Sequence, residues 1–277
     1  MTARLAIHPD VGARAPDVLE RLLRAGVDVE HVPARGVGYP DGDPLRGVRE
    51  GHLELAVVGL DALRGSAAED LTMVAALPRD DPRDALVTLA GPLTPLRGLP
   101  GGARVAVSGA RRRAFLRLHR PDVEIVEAPG QTGREAPIAA VMASWEARRG
   151  RHAARTAEVL DVRSWLPAPG QGIVALLARH PLAEVTALDH LPTRTALRAE
   201  LALVDALDFG PDVAYGAVAQ PSGRLLRLWA AVLSADGSRL VRSDLTGPLD
   251  EPEGLGLAVA RQLLRRGAGL VLEGALP

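Results

Sequence analysis

"GARVAVSGARRRAFLRLH" (Gly102–His119) is the stretch from which the fold is read. Arg104–Val107 has the length and apolar content of a buried strand, Ser108-Gly109 turns the chain, and an arginine-rich helix follows. "VEIVEAPG" then supplies another strand and loop. The same rhythm is present upstream. "RLAI" (Arg4–Ile7) reads as a strand, and "APDVLERLLRAG" (Ala15–Gly26) as a helix with leucines at 19, 22 and 23. Pro16 suits its first turn and Gly26 its stop. "VDVEHVP" alternates like a strand, and "LELAVVGL" (Leu53–Leu60) and "MVAAL" (Met73–Leu77) read as buried strands. Downstream, "APIAAVMASWEARRG" (Ala136–Gly150) is expected to be a helix. "RLLRLWAAVLSADGSRLVRSDLTGP" reads as two strands joined around Asp236-Gly237, and "EGLGLAVARQLLRRGAGLVL" as a closing helix and a short strand. Strands alternating with helices predict an α/β fold with parallel or mixed sheets covered by helices. The proline-rich "GPLTPLRGLPGG" (Gly91–Gly102) is expected to connect two such units.

Composition narrows the function classes. The 277 residues suffice for two or three modest domains. Apolar residues make up 47% but aromatics only 3%, so the core must be Leu, Val and Ala. A formal net charge of −1 argues against a nucleic-acid binder and against an acidic disordered tail. With no cysteine there is no disulfide, thiolate nucleophile or thiolate metal site. There is also no lysine, so a Schiff base is excluded and all 33 basic residues are arginine. Each fixed cation is therefore a planar fork suited to carboxylates or phosphates. The seven histidines have no metal-ligand spacing, so no metal is expected. No apolar run approaches the roughly 20 residues of a membrane span. "MTARLAIHPD" lacks a signal-peptide core, and a cytoplasmic protein is expected.

Three stretches hold candidate chemistry. In "SGARRR", Ser108 caps the helix or turns its hydroxyl to a ligand, and the helix N-terminus favours an anion. Arg111, Arg112 and Arg113 cannot all point one way, because helical neighbours lie about 100° apart; some meet solvent. "APGQTGR" (Ala128–Arg134) is a glycine-rich loop or an ordinary turn. "LPRDDPRDAL" (Leu77–Leu86) is a surface loop with internal ion pairs, or a hinge between domains. In "WLPAPGQGIVALLAR" (Trp165–Arg179), prolines and glycines stiffen the chain around one glutamine before an apolar run.

Together these stretches resemble the porphobilinogen deaminase (hydroxymethylbilane synthase) family, over nearly the whole chain. "ALPRDDPRDALV" is similar to that family's P-R-E-D-P-R-D-A segment, "GARVAVSGARRRAFLRLHRPDVEIV" to its G-T-S-S-L-R-R block, and "LPAPGQG" to its proline-glycine-glutamine loop. The resemblance implies an α/β fold of three domains. Two are periplasmic-binding-protein-like lobes around a cleft: residues 1–86 with 168–188, and 87–167. A smaller C-terminal α/β domain, 189–277, carries a cofactor loop. The glutamine loop would lead back into the first domain and face the cleft, anchored by an apolar helix behind it. The resemblance also implies a role in tetrapyrrole (haem) biosynthesis, with a polyanionic chain of pyrroles held by Ser108, Arg111, Arg112, Arg134, Gly170, Gln171 and Gly172. Bidentate guanidinium contacts would orient the acetate and propionate groups.

The sequence departs from that family at the reacting groups. The family attaches its dipyrromethane primer through a cysteine, and Pro211 stands at that position, so no covalently attached cofactor is expected. Its essential aspartate aligns with Ala62, and Asp61 is one residue away, on the other face if the strand continues. His8 and Asp10 stand near an arginine and a serine of its N-terminal motif. The catalytic residues are thus unknown. The expectation is a divergent member, a monomer binding a small pyrrole or carboxylate and neither nucleic acid nor membrane. The alternative to enzymatic turnover is a noncatalytic binder of a tetrapyrrole, porphobilinogen or other small carboxylate in the cleft.

Overall fold

A computed structural model describes residues 2–33, 43–63, 70–89, 91–127, 138–144, 153–210 and 212–273. The chain divides into two compact units, Met1–Asp80 with Gly172–Leu197, and Asp81–Gln171 with Arg198–Pro277.

The first unit is built on a five-stranded mixed sheet, in the order β2-β1-β3-β10-β4. Strands β1 (Ala3–Ile7), β2 (Val29–His31) and β3 (Leu55–Val58) are parallel, and β10 (Ala175–Ala178) runs antiparallel between β3 and β4 (Thr72–Ala76). The sheet is covered on both faces. One face packs Leu5, Leu55, Val57 and Leu176 against Val18 and Leu22 of the helix Ala15–Arg24. The other packs Ala56, Val58 and Leu177 against Leu45 and Val48 of the helix Pro44–Arg49. Burial on both sides explains why these strands read as unbroken apolar runs. It also explains a correction. The apolar segment behind the glutamine loop is strand β10, not a helix, because a short fully buried run has no amphipathic period to betray its type.

The second unit repeats the plan. Its first sheet has the order β7-β6-β8-β5-β9, with β6 (Arg104–Val107), β7 (Glu124–Glu127) and β8 (Ala140–Ser144) parallel. Strand β5 (Asp84–Thr88) lies antiparallel between β8 and β9 (Thr156–Val159). The segment expected to be helical from Ala136 thus contains a strand at Ala140–Ser144; pairing on both edges overrides the helix propensity of its Ala and Met. A second, three-stranded antiparallel sheet follows, β11 (Ala214–Ser222), β12 (Leu225–Leu233) and β13 (Leu240–Pro248). The β12–β13 hairpin turns at Asp236-Gly237 as the sequence indicated. The helix Pro252–Arg265 covers this sheet, and the last element, expected to be a strand, is the helix Ala268–Glu273.

One core joins the second unit's two sheets. Phe115 and Leu116 of the helix Ala110–His119 pack with Val105, Val107, Leu86 and Met142 below, and with Val218 and Ala231 above. Phe115 stacks on Trp165 at 5.3 Å between ring centroids. The approach is close enough to demand glycine. A Cβ on Gly237 would sit 2.7 Å from Leu118 N, and one on Gly216 would sit 2.8 Å from Leu166 Cβ and O.

Candidate ligand-binding site

Strand β6 delivers the chain to Gly109, whose φ of 82° lets the Ala110–His119 helix start at once. Gly109, not Ser108, holds the cap position, and no side chain caps this helix. Ser108 is exposed, and its hydroxyl accepts a hydrogen bond from Arg112 Nη1 at 3.3 Å.

The three consecutive arginines separate as helical geometry requires. Arg111 is buried, with only 8% of its surface exposed. Arg112 is half-buried, and Arg113 turns away to pair with Glu127. What receives the first two is Asp84, the opening residue of β5 and completely buried. Arg111 Nη1 lies 2.7 Å from Asp84 Oδ2, and Arg112 Nε and Nη2 lie 3.1 and 3.0 Å from Oδ1. Trp165 Nε1 donates to Oδ2 at 3.1 Å and Gln171 Nε2 to Oδ1 at 3.0 Å. Burial pushes this carboxyl up, but the two guanidiniums more than offset that and hold it well below the usual carboxylate range. Asp84 is therefore ionised at neutral pH, and every donor around it is oriented by a fixed charge.

The glutamine loop is fastened residue by residue. Leu166 O accepts from Arg111 Nη1 at 2.8 Å, and Pro167 O from Ala217 N at 3.0 Å. Gln171 Oε1 accepts from Arg111 Nη2 and from Ala168 N at 3.2 and 3.3 Å, while its Nε2 donates to Pro82 O at 2.7 Å as well as to Asp84. Both donors and both acceptor sites of the amide are thus used. Gly170 and Gly172 take φ values of 69° and 80°, which only glycine adopts without strain. Glu200, fully buried, accepts from Gly170 N and from Ala219 N. Stiff prolines and glycines set a neutral amide between a buried carboxylate and a buried guanidinium.

Of the residues singled out in the sequence, the structure brings Ser108, Arg111, Arg112 and Gln171 together. Gly170 is tied to Glu200 instead, and Gly172 O accepts from Asp80 N and from Arg14 Nη1. Arg134, its glycine-rich loop and Pro211 lie outside the described residues. Ala62 is half-buried, packed beside the Leu45–Val48 core, and Asp61 lies in the short helix Leu60–Leu63. His8 donates its backbone N–H to Val57 O. Sequence reasoning missed Asp84 and Glu200. Asp84 was absorbed into a charged run, and the available signal was an acid placed directly before the apolar run ALVTL. Among the described residues no group of His, Asp or Glu side chains could hold a metal ion, and no helix is long and apolar enough to cross a membrane.

Fold and site define an α/β protein on two like-planned mixed sheets, with a buried carboxylate–arginine cluster at the head of the second unit's first helix. A family model described as "Porphobilinogen deaminase, dipyromethane cofactor binding domain" matches residues 46–187. The porphobilinogen deaminase of Moorella thermoacetica is 36% identical over 235 residues, spanning 81% of this chain and 74% of that protein. That of Roseiflexus sp. is 34% identical over 273 residues, 90% of this chain and 89% of its own. Among solved structures, a periplasmic substrate-binding protein of an ABC transporter from Coxiella burnetii is similar at a TM-score of 0.42 and 13% identity, over 67% of this chain and 89% of that one. The chain belongs to the porphobilinogen deaminase family.

Proposed function

We propose that this chain is a divergent member of its family, serving tetrapyrrole biosynthesis by binding porphobilinogen or a related pyrrole carboxylate where Ser108 and Arg112 meet, with the family's polymerising turnover lost or altered. The observation that carries this reading is a pairing of presence and absence. The serine, the arginine pair and the glutamine are all in place, whereas the chain has no cysteine at all. The family's dipyrromethane primer hangs on a cysteine thioether, so the donor set here does not fit that group, and no step is routed through it. The family's carboxylate for proton transfer is also displaced, since Ala62 stands in its position. Asp84 is no replacement: a carboxyl held ionised by two guanidiniums is a poor proton donor near neutral pH.

A second reading is favoured by the 36% identity over 81% of the chain. It is a working hydroxymethylbilane synthase that holds its primer noncovalently. One experiment separates the two. Purified protein is incubated with porphobilinogen, then examined by intact mass and by colour with an acidic aldehyde reagent. Porphobilinogen-dependent thermal stabilisation without bilane release supports the first reading. Release of bilane at a normal rate, or a pyrrole primer bonded to the polypeptide, overturns it.

A further inference from the structure

We propose that Asp84 is the positioning residue of this site, fixing which arginine edge is presented to a ligand carboxylate. The inference rests on the carboxylate-binding reading above. Asp84 is fully buried, so none of its four donors competes with water for it. The donors divide in pairs, Arg111 and Trp165 on Oδ2, and Arg112 and Gln171 on Oδ1. Arg111 is thereby held inward, its remaining contacts going to Leu166 O and Gln171 Oε1. Arg112 is gripped by Nε and Nη2, which leaves Nη1, beside the exposed Ser108 hydroxyl, on the outer side. Asp84, Arg111 and Arg112 together keep one surplus positive charge, and the grip places it at Arg112. Without the carboxylate the two guanidiniums would repel each other and Arg112 would lose its orientation.

An isosteric amide cannot substitute. Asparagine turns one carboxylate oxygen into an NH2 group, and either orientation sets that group against two donors. Asp84→Asn is therefore expected to weaken porphobilinogen binding, measured by calorimetry, by about ten-fold, whereas adding Arg112→Gln to it lowers affinity by less than about two-fold more. Additive losses overturn the proposal, because a general loss of structure would not saturate in this way. Unchanged affinity in Asp84→Asn overturns it too while leaving the binding reading intact. If Asp84→Asn does not fold, Asp84→Asn/Arg111→Gln takes its place, since removing both partners spares the fold the cost of an unpaired buried charge. The same about ten-fold loss is expected there. If the unaltered chain fails to bind porphobilinogen, the binding reading falls and positioning is read directly by solvent exchange of the Arg112 Nε proton in arginine-labelled protein. Faster exchange in the Asp84 variant supports the proposal, and unchanged exchange overturns it.

Discussion

In each five-stranded sheet one strand, β1 or β6, leads toward a helix that begins beside a buried arginine, yet the two arginines are neutralised differently. In the first unit Arg14 is the buried partner, and its acids are open to water: Asp80 at 2.9 Å is 28% exposed and Asp17 at 3.2 Å is 43% exposed. Asp17 also pairs with Arg21, so these named charges balance. In the second unit the acid is completely buried together with Arg111, and Arg112 shares it, so these three named charges leave one positive charge over. The difference lies in whether the acid leaves water along with its arginine. Burying the cation against hydrated acids makes a local tie. Burying the anion with one guanidinium and against a second leaves one positive charge over among the three. The same strand plan thus carries a balanced charge cluster in one unit and an unbalanced one in the other.

Breaking Asp84 tests the contrast most severely. Asp84→Ala strands two guanidiniums and removes acceptors for Trp165 and Gln171, and is expected to cost about 3–5 kcal/mol in urea unfolding. Arg14→Met should cost less, about 1.5–3 kcal/mol, because the acids it leaves behind are already hydrated. Equal losses at the two positions would erase the comparison. Gly216→Ala forces a methyl into the Leu166–Pro167 backbone and should cost about 1–3 kcal/mol, with a change in Trp165 fluorescence as the fastened loop yields. Arg24→Ala, removing an exposed pair with Glu20, should change stability by no more than about 0.5 kcal/mol.

Acid titration sharpens the same point. The Asp84 carboxyl is depressed in the folded chain, so its contribution is complete above the unfolded value of about 4 and is lost as pH falls through the lower folded value. Unfolding free energy measured against pH should therefore decline below about pH 4, and less steeply in Asp84→Asn/Arg111→Gln. Asp236, drawn down to about 2 by the Ser234 hydroxyl and by the amide and hydroxyl of Ser238, titrates alike in both proteins. The difference between the two curves consequently reports Asp84.

The legible part of the fold was the part with a local cause. The Ala15–Arg24 helix has its early proline and its stop at Gly26, and the β12–β13 hairpin has its Asp-Gly turn. Strand β10 reads as a helix because burial on both faces removes the alternation that separates strand from helix, whereas β8 does so because its Ala and Met favour a helix. The site divided in the same way. Ser108, Arg111, Arg112 and Gln171 stand in recognisable motifs. Asp84 does not, and its role is set by partners 28, 81 and 87 residues away. Glu200 is equally silent in sequence, lying mid-helix with backbone partners at residues 170 and 219.

The occupied amide of Gln171 has a consequence for which residues that position tolerates. A planar group with an acceptor on one corner and donors on the other can sit between opposite ions without adding to either. Glutamate there would confront Asp84, a cationic chain would confront Arg111, and methionine would leave both neighbours short of a contact. Half a turn of the amide would set its oxygen against Pro82 O and its NH2 against the Ala168 N–H, so the backbone holds it in one orientation. The position thus constrains polarity, shape and orientation together.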